Sequence, residues 1–322
     1  MSDFDYGAYF GPILPLADAT RSDGDRCWGS GAENNKRAHD YVLYLGCNVL
    51  RTVALAETIV AILNELGVDF IPLGGPATCC GIIHHGNGDV AISEKLTRQT
   101  LAKFEGYEPK AVLTYCPSCH SHMDDSLATP GLDFDIPYLH VTEFITENLS
   151  RLTFKNRVER KVYLHAHSDN EQARLDAKFA RAILEAIPGI EVLGEPGGGE
   201  WGHDCGGRQI GIIGKDTHDR LTGEMFATAR ADGADVIAGL YHSCYRQFCG
   251  LEREQGMEIV HYTALVAEAL GLPAKPEAFK ALKLESKPHE AAQRLKGRAA
   301  AHGLKESGLR ATLDAHFSIQ EP

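Results

Sequence analysis

Five cysteines in three remote segments constrain this chain more than anything else in it. Cys47 stands alone, Cys79 and Cys80 lie side by side before Gly81, and Cys116 and Cys119 form a Cys-Pro-Ser-Cys. The intervals are 31 residues, none, 35 and two. A fold that uses these thiols together must bring three distant stretches of chain to one place. A lone CxxC is common; a vicinal Cys-Cys-Gly set between a single Cys and a CxxC is far more specific. Thiolates are soft ligands that select zinc, copper(I) or iron–sulfur clusters. Five exceed the four that a tetrahedral structural zinc takes. The count therefore favours an iron–sulfur cluster over a zinc site that uses four thiols and leaves the fifth as a bystander.

The elements around the cysteines alternate as in an α/β protein. Tyr41 to Gly46 is an apolar run that ends at Cys47, and Thr52 to Leu66 has helical spacing closed by Gly67. Asp69 to Leu73 then leads through Gly74-Gly75-Pro76 to the Cys-Cys-Gly turn. Residues 88 to 104 form an amphipathic helix, and Ala111 to Tyr115 a buried strand ending on Cys116. Each cysteine group thus falls just past the C-terminal end of a strand, where open parallel sheets bind ligands.

The same order of elements recurs. Lys161 to His165, Glu171 to Ala186 and Glu191 to Leu193 repeat strand, helix and strand, and Asp204-Cys205-Gly206 stands where Cys79-Cys80-Gly81 stood. A helix over Thr217 to Ala231 and a strand over Asp235 to Leu240 follow, before Tyr241-His242-Ser243-Cys244. The 35 residues between Cys205 and Tyr241 equal those between Cys80 and Cys116. The second copy keeps Cys205 and Cys244, replaces the other thiols, and puts His167 or Ser168 where Cys47 was. The expected organisation is an N-terminal extension over 1–40, a first subdomain over 41–152, a degenerate second over 153–275 and a helical tail over 276–322. Pro137 to Leu152 is expected to form a closing helix and linker, and the tail to present solvated helices suited to clasping a partner.

The pattern C-x31-CCG-x35-CPSC followed by a decayed copy resembles the cysteine-rich CCG domain of the disulfide-cleaving subunits of heterodisulfide reductases and their relatives. These include the heterodisulfide reductase-like proteins of sulfur-oxidising bacteria and, more distantly, iron–sulfur subunits of lactate and glycerol-3-phosphate oxidation systems. The resemblance spans residues 41 to 275. It implies two pseudo-symmetric α/β CCG subdomains and a noncubane [4Fe–4S] cluster on Cys47, Cys79, Cys80, Cys116 and Cys119. It also implies an oxidoreductase acting on thiols, disulfides or persulfides in sulfur metabolism, as part of a complex. A ferredoxin-like iron–sulfur subunit and a flavin-containing subunit would be its partners, and a sulfur-containing substrate or carrier its ligand. The chain shows no C-x2-C-x2-C-x3-C-P run and no Gly-rich dinucleotide fingerprint, so those functions are expected from the partners. The alternatives are a lactate- or glycolate-type oxidation subunit and a non-catalytic, metal-stabilised assembly subunit.

Further candidates surround these motifs. His84 and His85 follow the CCG turn and His120 follows Cys119; each titrates near neutrality and is a candidate proton donor. Hydrogen bonding to cluster sulfurs is the plainer role for all three. In the second copy, Cys205, Cys244, His167, His203 and Cys249, with His165, Asp204 and His242 nearby, could hold zinc, a smaller iron–sulfur centre with mixed ligands, or nothing. Cys27 is read as a spectator in a polar extension.

Composition excludes other classes. A net charge of −12 argues against sequence-independent binding to nucleic acid or an anionic membrane. No apolar run of spanning length occurs. Nine cysteines, an odd and modest number for 322 residues, fit reduced thiols in the cytoplasm better than a disulfide scaffold.

Overall fold

The computed structural model describes residues 4–22, 37–128, 131–168, 170–194, 205, 207–285 and 287–318. Their contacts divide them into two compact units, one within 1–57, 67–140 and 276–322, the other within 58–66 and 141–275. Each is built on a four-stranded parallel sheet.

The first unit opens with α1 (Tyr6–Phe10) and α2 (Ile13–Thr20). Ile13 and Leu16 are fully buried, so this stretch is packed structure rather than the polar extension its composition implied. β1 (Tyr41–Gly46) follows, then α3 (Val53–Glu65), β2 (Phe70–Gly74), α4 (Ile82–Gly86), α5 (Val90–Glu105), β3 (Ala111–Thr114) and α6 (Pro117–Leu127). The sheet closes with β4 (Tyr138–His140) in the order β2-β1-β3-β4. Val42 to Leu45 and Val112 to Leu113 are fully buried. Continuous apolar runs of this kind are what a parallel sheet covered on both faces demands.

The second unit repeats the plan. α7 (Val141–Glu147) and β5 (Arg160–His165) lead to α8 (Glu171–Glu185), whose N-cap Asn170 accepts from the Ala173 N–H at 2.8 Å. β6 (Ile190–Leu193), α9 (Gly207–Ile213), α10 (Lys215–Ala231), β7 (Val236–Gly239) and α11 (His242–Phe248) come next. The short α12 (Glu252–Gln255), β8 (Glu258–His261) and α13 (Tyr262–Leu270) complete it, in the order β6-β5-β7-β8.

The fourth strands, β4 and β8, are not foreseen by the sequence reading, which takes 137–152 for a helix and linker. Three or four residues carry too little period-2 pattern to be read as a strand; pairing with β3 and β7 creates them. The C-terminal helices α14 (Ala278–Leu284), α15 (Pro288–Ala301) and α16 (Glu306–Ser318) return to the first unit, where α15 and α16 pack on α2. Leu295, Ala299, Leu309 and Leu313 are buried there. The tail that reads as solvated helices therefore buries its apolar stripe within its own chain.

In each sheet the chain leaves the first strand to one side and later returns to the other. Such a reversal opens a crevice at the strands' C-terminal ends, between β1 and β3 and between β5 and β7.

Candidate metal centre

Cys47 follows β1 directly, Cys79 and Cys80 follow the single 3-10 turn after β2, and Cys116 is the N-cap of α6, with Pro117 at N1. Pro at that position has a preset φ and lacks an N–H that the helix start would leave unpaired. Cys119 then falls on the first turn of α6. All five cysteines are buried, none more than 5% exposed.

Their thiols form one connected network. Cys47 hydrogen-bonds Cys79, Cys79 bonds Cys80, Cys80 bonds Cys119, and Cys119 bonds Cys116. Charge within it is uneven. Hydrogen bonds from Cys47 and Cys80 bring the Cys79 thiol down to about 3 against the opposing effect of burial, with help from the Gly81 N–H and the field of His84. That N–H lies 3.4 Å from Cys79 Sγ. Cys47 is pushed well up by its bond to Cys79, by burial and by the other sulfurs. At Cys80 the bond from Cys119 favours the thiolate, but Cys79 and burial outweigh it and the thiol rises. Bonds with Cys116 and Cys80, then burial, raise Cys119. The protein alone stabilises one thiolate here and resists more. A polynuclear cation would remove that resistance, and soft sulfur donors in this number suit iron.

Two glycines make the approach possible. A Cβ on Gly46, at φ +72°, would lie 2.9 Å from Cys119 Sγ and 3.3 Å from Cys116 Cβ. Gly81, at φ +97°, turns the chain after the cysteine pair, and a Cβ there would sit 2.7 Å from the Ser93 carbonyl and hydroxyl oxygens. Both conformations are ones that L side chains rarely adopt.

Behind the pair, α5 supplies a row of hydroxyls. Thr97 Oγ1 donates to the Cys80 carbonyl at 2.7 Å and Thr100 Oγ1 to the Cys79 carbonyl at 2.9 Å. Tyr44 donates from its hydroxyl to the Thr78 carbonyl at 2.7 Å. Sequence reasoning passes over these residues, yet Ser93, Thr97 and Thr100 at i, i+4 and i+7 of an amphipathic helix, all buried, form a small polar stripe on its inner face. That pattern was the available signal.

His84 is half-buried and its Nδ1 is buried with no hydrogen-bond partner; His85 is exposed. Tyr6 and Phe10 of α1 cover His84, with ring centroids 4.1 and 5.7 Å away. His120 is buried and engaged at both ring nitrogens, Nδ1 with Thr114 Oγ1 at 2.7 Å and Nε2 with Asp124 at 3.2 Å. His122 lies behind the cysteine pair, its Nε2 3.2 Å from Ser93 Oγ; burial, then the nearby His85, disfavours its protonation.

In the second unit, Cys205, Cys244 and His167 come together and His165 joins them, with all four ligand atoms within 4.8 Å of one another and all four residues buried. Cys249 is buried but does not belong to this group; its Sγ faces the Arg246 carbonyl at 4.0 Å. His203, Asp204 and Cys27 lie outside the described residues.

Comparison with known proteins agrees with these sites. Residues 41–124 match the CCG cysteine-rich domain model. The chain is 27% identical over 252 residues to a subunit of the dihydromethanophenazine:CoB–CoM heterodisulfide reductase of Methanosarcina mazei, covering 73% of this chain and 60% of that relative. It is 22% identical over 191 residues to a probable iron-sulfur-binding oxidoreductase of Bacillus subtilis, covering 58% of this chain and 27% of that protein. The chain thus spans at most about three fifths of the length of these relatives. A solved structure of a hypothetical protein from Helicobacter pylori superimposes with a TM-score of 0.57 at 10% identity, covering 87% of this chain and 57% of the other, a likeness of fold alone. The chain carries a CCG domain with its five thiols and is similar to subunits of heterodisulfide reductases.

Proposed function

We propose that this chain is the iron–sulfur subunit of a heterodisulfide reductase-like complex, working on thiols, disulfides or persulfides in sulfur metabolism. Its noncubane [4Fe–4S] cluster would be held by Cys47, Cys79, Cys80, Cys116 and Cys119. One observation carries the reading: the five thiols form a single buried network at the strand ends, beside a glycine whose Cβ would meet two of them. When bound, the cluster supplies one-electron transfer and iron as a partner for sulfur, which links two-electron thiol chemistry to one-electron carriers.

The chain's own groups have distinct parts in this proposal. The thiols bind the cluster, and the Gly81 N–H donates to Cys79, a contact of the kind that tunes cluster potential. Thr97 and Thr100 hold the backbone of the cysteine pair. His84, beside Cys79 and with Nδ1 free of a hydrogen bond, is the group placed to deliver a proton to a departing thiolate. Tyr6 and Phe10 limit water around it. His120, tied at both nitrogens, orients α6. Electrons would come from or go to ferredoxin-like and flavin-containing partners.

The test is metal analysis and paramagnetic resonance on protein purified without oxygen. About four iron per chain with matching acid-labile sulfide is expected for a [4Fe–4S] centre. Thiol or persulfide should perturb the oxidised cluster's signal. Zinc on the five thiols with no iron would overturn the reading; iron present but indifferent to every sulfur ligand would favour an assembly role.

A further inference from the structure

The two sheets correspond strand for strand, and their register shows what replaced the missing thiols. Tyr44 pairs with Thr114 in the first sheet, and His165 with Gly239 in the second. The carbonyl of Tyr44 accepts from the Tyr115 N–H at 3.0 Å, and that of His165 from the Leu240 N–H at 2.9 Å. His165 therefore occupies the place of Tyr44, His167 that of Gly46, Ser168 that of Cys47 and Tyr241 that of Cys116. Cys244, third residue of α11, matches Cys119, third residue of α6.

The exchange of Gly46 for His167 decides the chemistry. A Cβ at position 46 would strike Cys119 Sγ; at the matching position an imidazole is directed onto the matching thiol, with His167 Nε2 3.2 Å from Cys244 Sγ and 3.7 Å from Cys205 Sγ. The rings fill the space between the sulfurs that a cluster would need. A two-iron centre with mixed ligands is also too large, because it keeps thiolates on one iron and imidazoles on the other, separated by the bridging sulfides. A tetrahedral zinc with Zn–S of about 2.3 Å and Zn–N of about 2.0–2.1 Å puts sulfur and nitrogen about 3.5 Å apart, which the two observed contacts bracket. His165 Nε2 is buried with no hydrogen-bond partner, a defect that coordination would cure. The surroundings fix the rings: His165 packs edge-on against Phe248 at 5.0 Å and His167 against Tyr241 at 5.1 Å. Tyr241 in turn donates to Asp176 at 2.8 Å.

We propose that the second unit holds a single zinc ion in a closed tetrahedral site formed by His165, His167, Cys205 and Cys244. Two thiolates and two neutral imidazoles balance its charge, and with no open position its role is structural. It pins the ends of β5 and the first turn of α11 to the segment at Cys205. This stands independently of the iron–sulfur reading of the first unit.

The experiment uses the full chain purified without oxygen from zinc-supplemented cells. About one zinc per chain is expected besides any iron, with an X-ray absorption shell of two sulfurs and two nitrogens. Cys244→Ala and His167→Ala should lose the zinc, whereas Cys116→Ala should lose iron and keep it. If those second-unit variants do not fold, cobalt(II) loaded into wild-type protein gives the answer through the intense visible bands of a tetrahedral thiolate–imidazole site. Wild-type protein that takes up neither zinc nor cobalt, a shell of sulfur only, or zinc retained in His167→Ala would each overturn the proposal. Zinc without iron would leave it standing and sink the functional reading; iron without zinc would do the reverse.

Discussion

The two units share strand order, parallel register and the placement of their donors, yet they end in different chemistry: five thiols in one, two thiols and two imidazoles in the other. The scaffold is common property and the donor set is local. What separates them is concentrated at a single register position. Gly46 has no side chain and lets Cys116 and Cys119 approach the backbone, while His167 sends a ring onto the thiol that corresponds to Cys119. The supporting helix differs in the same spirit. Thr97 Oγ1 donates to the Cys80 carbonyl, whereas the Cys205 carbonyl meets His218 Nε2 at 3.3 Å.

The broadest contrast is broken or upheld by Cys80→Ala. Cys80 bonds both Cys79 and Cys119 and so joins the two halves of the thiol network. Its loss is expected to remove essentially all iron from the first unit, measured as iron and sulfide per chain; full retention of iron would show that the network is not the ligand set. Next comes Gly46→Ala. A methyl group 2.9 Å from Cys119 Sγ at φ +72° should displace that thiol, with a backbone cost of about 1–3 kcal/mol. Most iron should go while the second unit's metal stays; unchanged cluster content would remove Gly46 as the deciding position.

Smaller effects test the supporting row on α5. Thr97→Val leaves the buried Cys80 carbonyl without its donor, and the expected loss is about 1–3 kcal/mol, seen in denaturant unfolding together with faster iron release to a chelator. Equal stability of the two proteins would reduce the contact to coincidence. The smallest effect concerns pH. Burial lowers the affinity of His122 for a proton below its ordinary value of 6.5, so the unfolded chain binds that proton more readily than the folded one. Stability from this group is therefore full above about pH 6.5 and declines as pH falls below it. His122→Gln should flatten that decline in a series of unfolding midpoints, and an unchanged slope would show that His122 is not its source.

The sequence exposes the alternation of β1, β2 and β3 with their helices, because buried parallel strands are unbroken apolar runs. Its fixed spacings carry the duplication, and the five thiols are visible outright. β4 and β8 are too short to show a pattern of their own. The apolar residues of α2 and of the C-terminal helices look like minor features in polar surroundings until Ile13, Leu16, Leu309 and Leu313 are seen buried together in one unit.

By itself, then, the sequence determined the kind of ligand and the number of copies, since residue type and spacing survive in one dimension. The tertiary structure alone decided which atoms meet. His167 and Ser168 contend for one position in the sequence; strand register assigns that position to Ser168 and sets His167 over Gly46. His165 joins the metal-binding group and Cys249 stays outside it for the same reason. Such choices depend on which way a side chain leaves a strand end or a helix turn, and only the packed backbone fixes that direction.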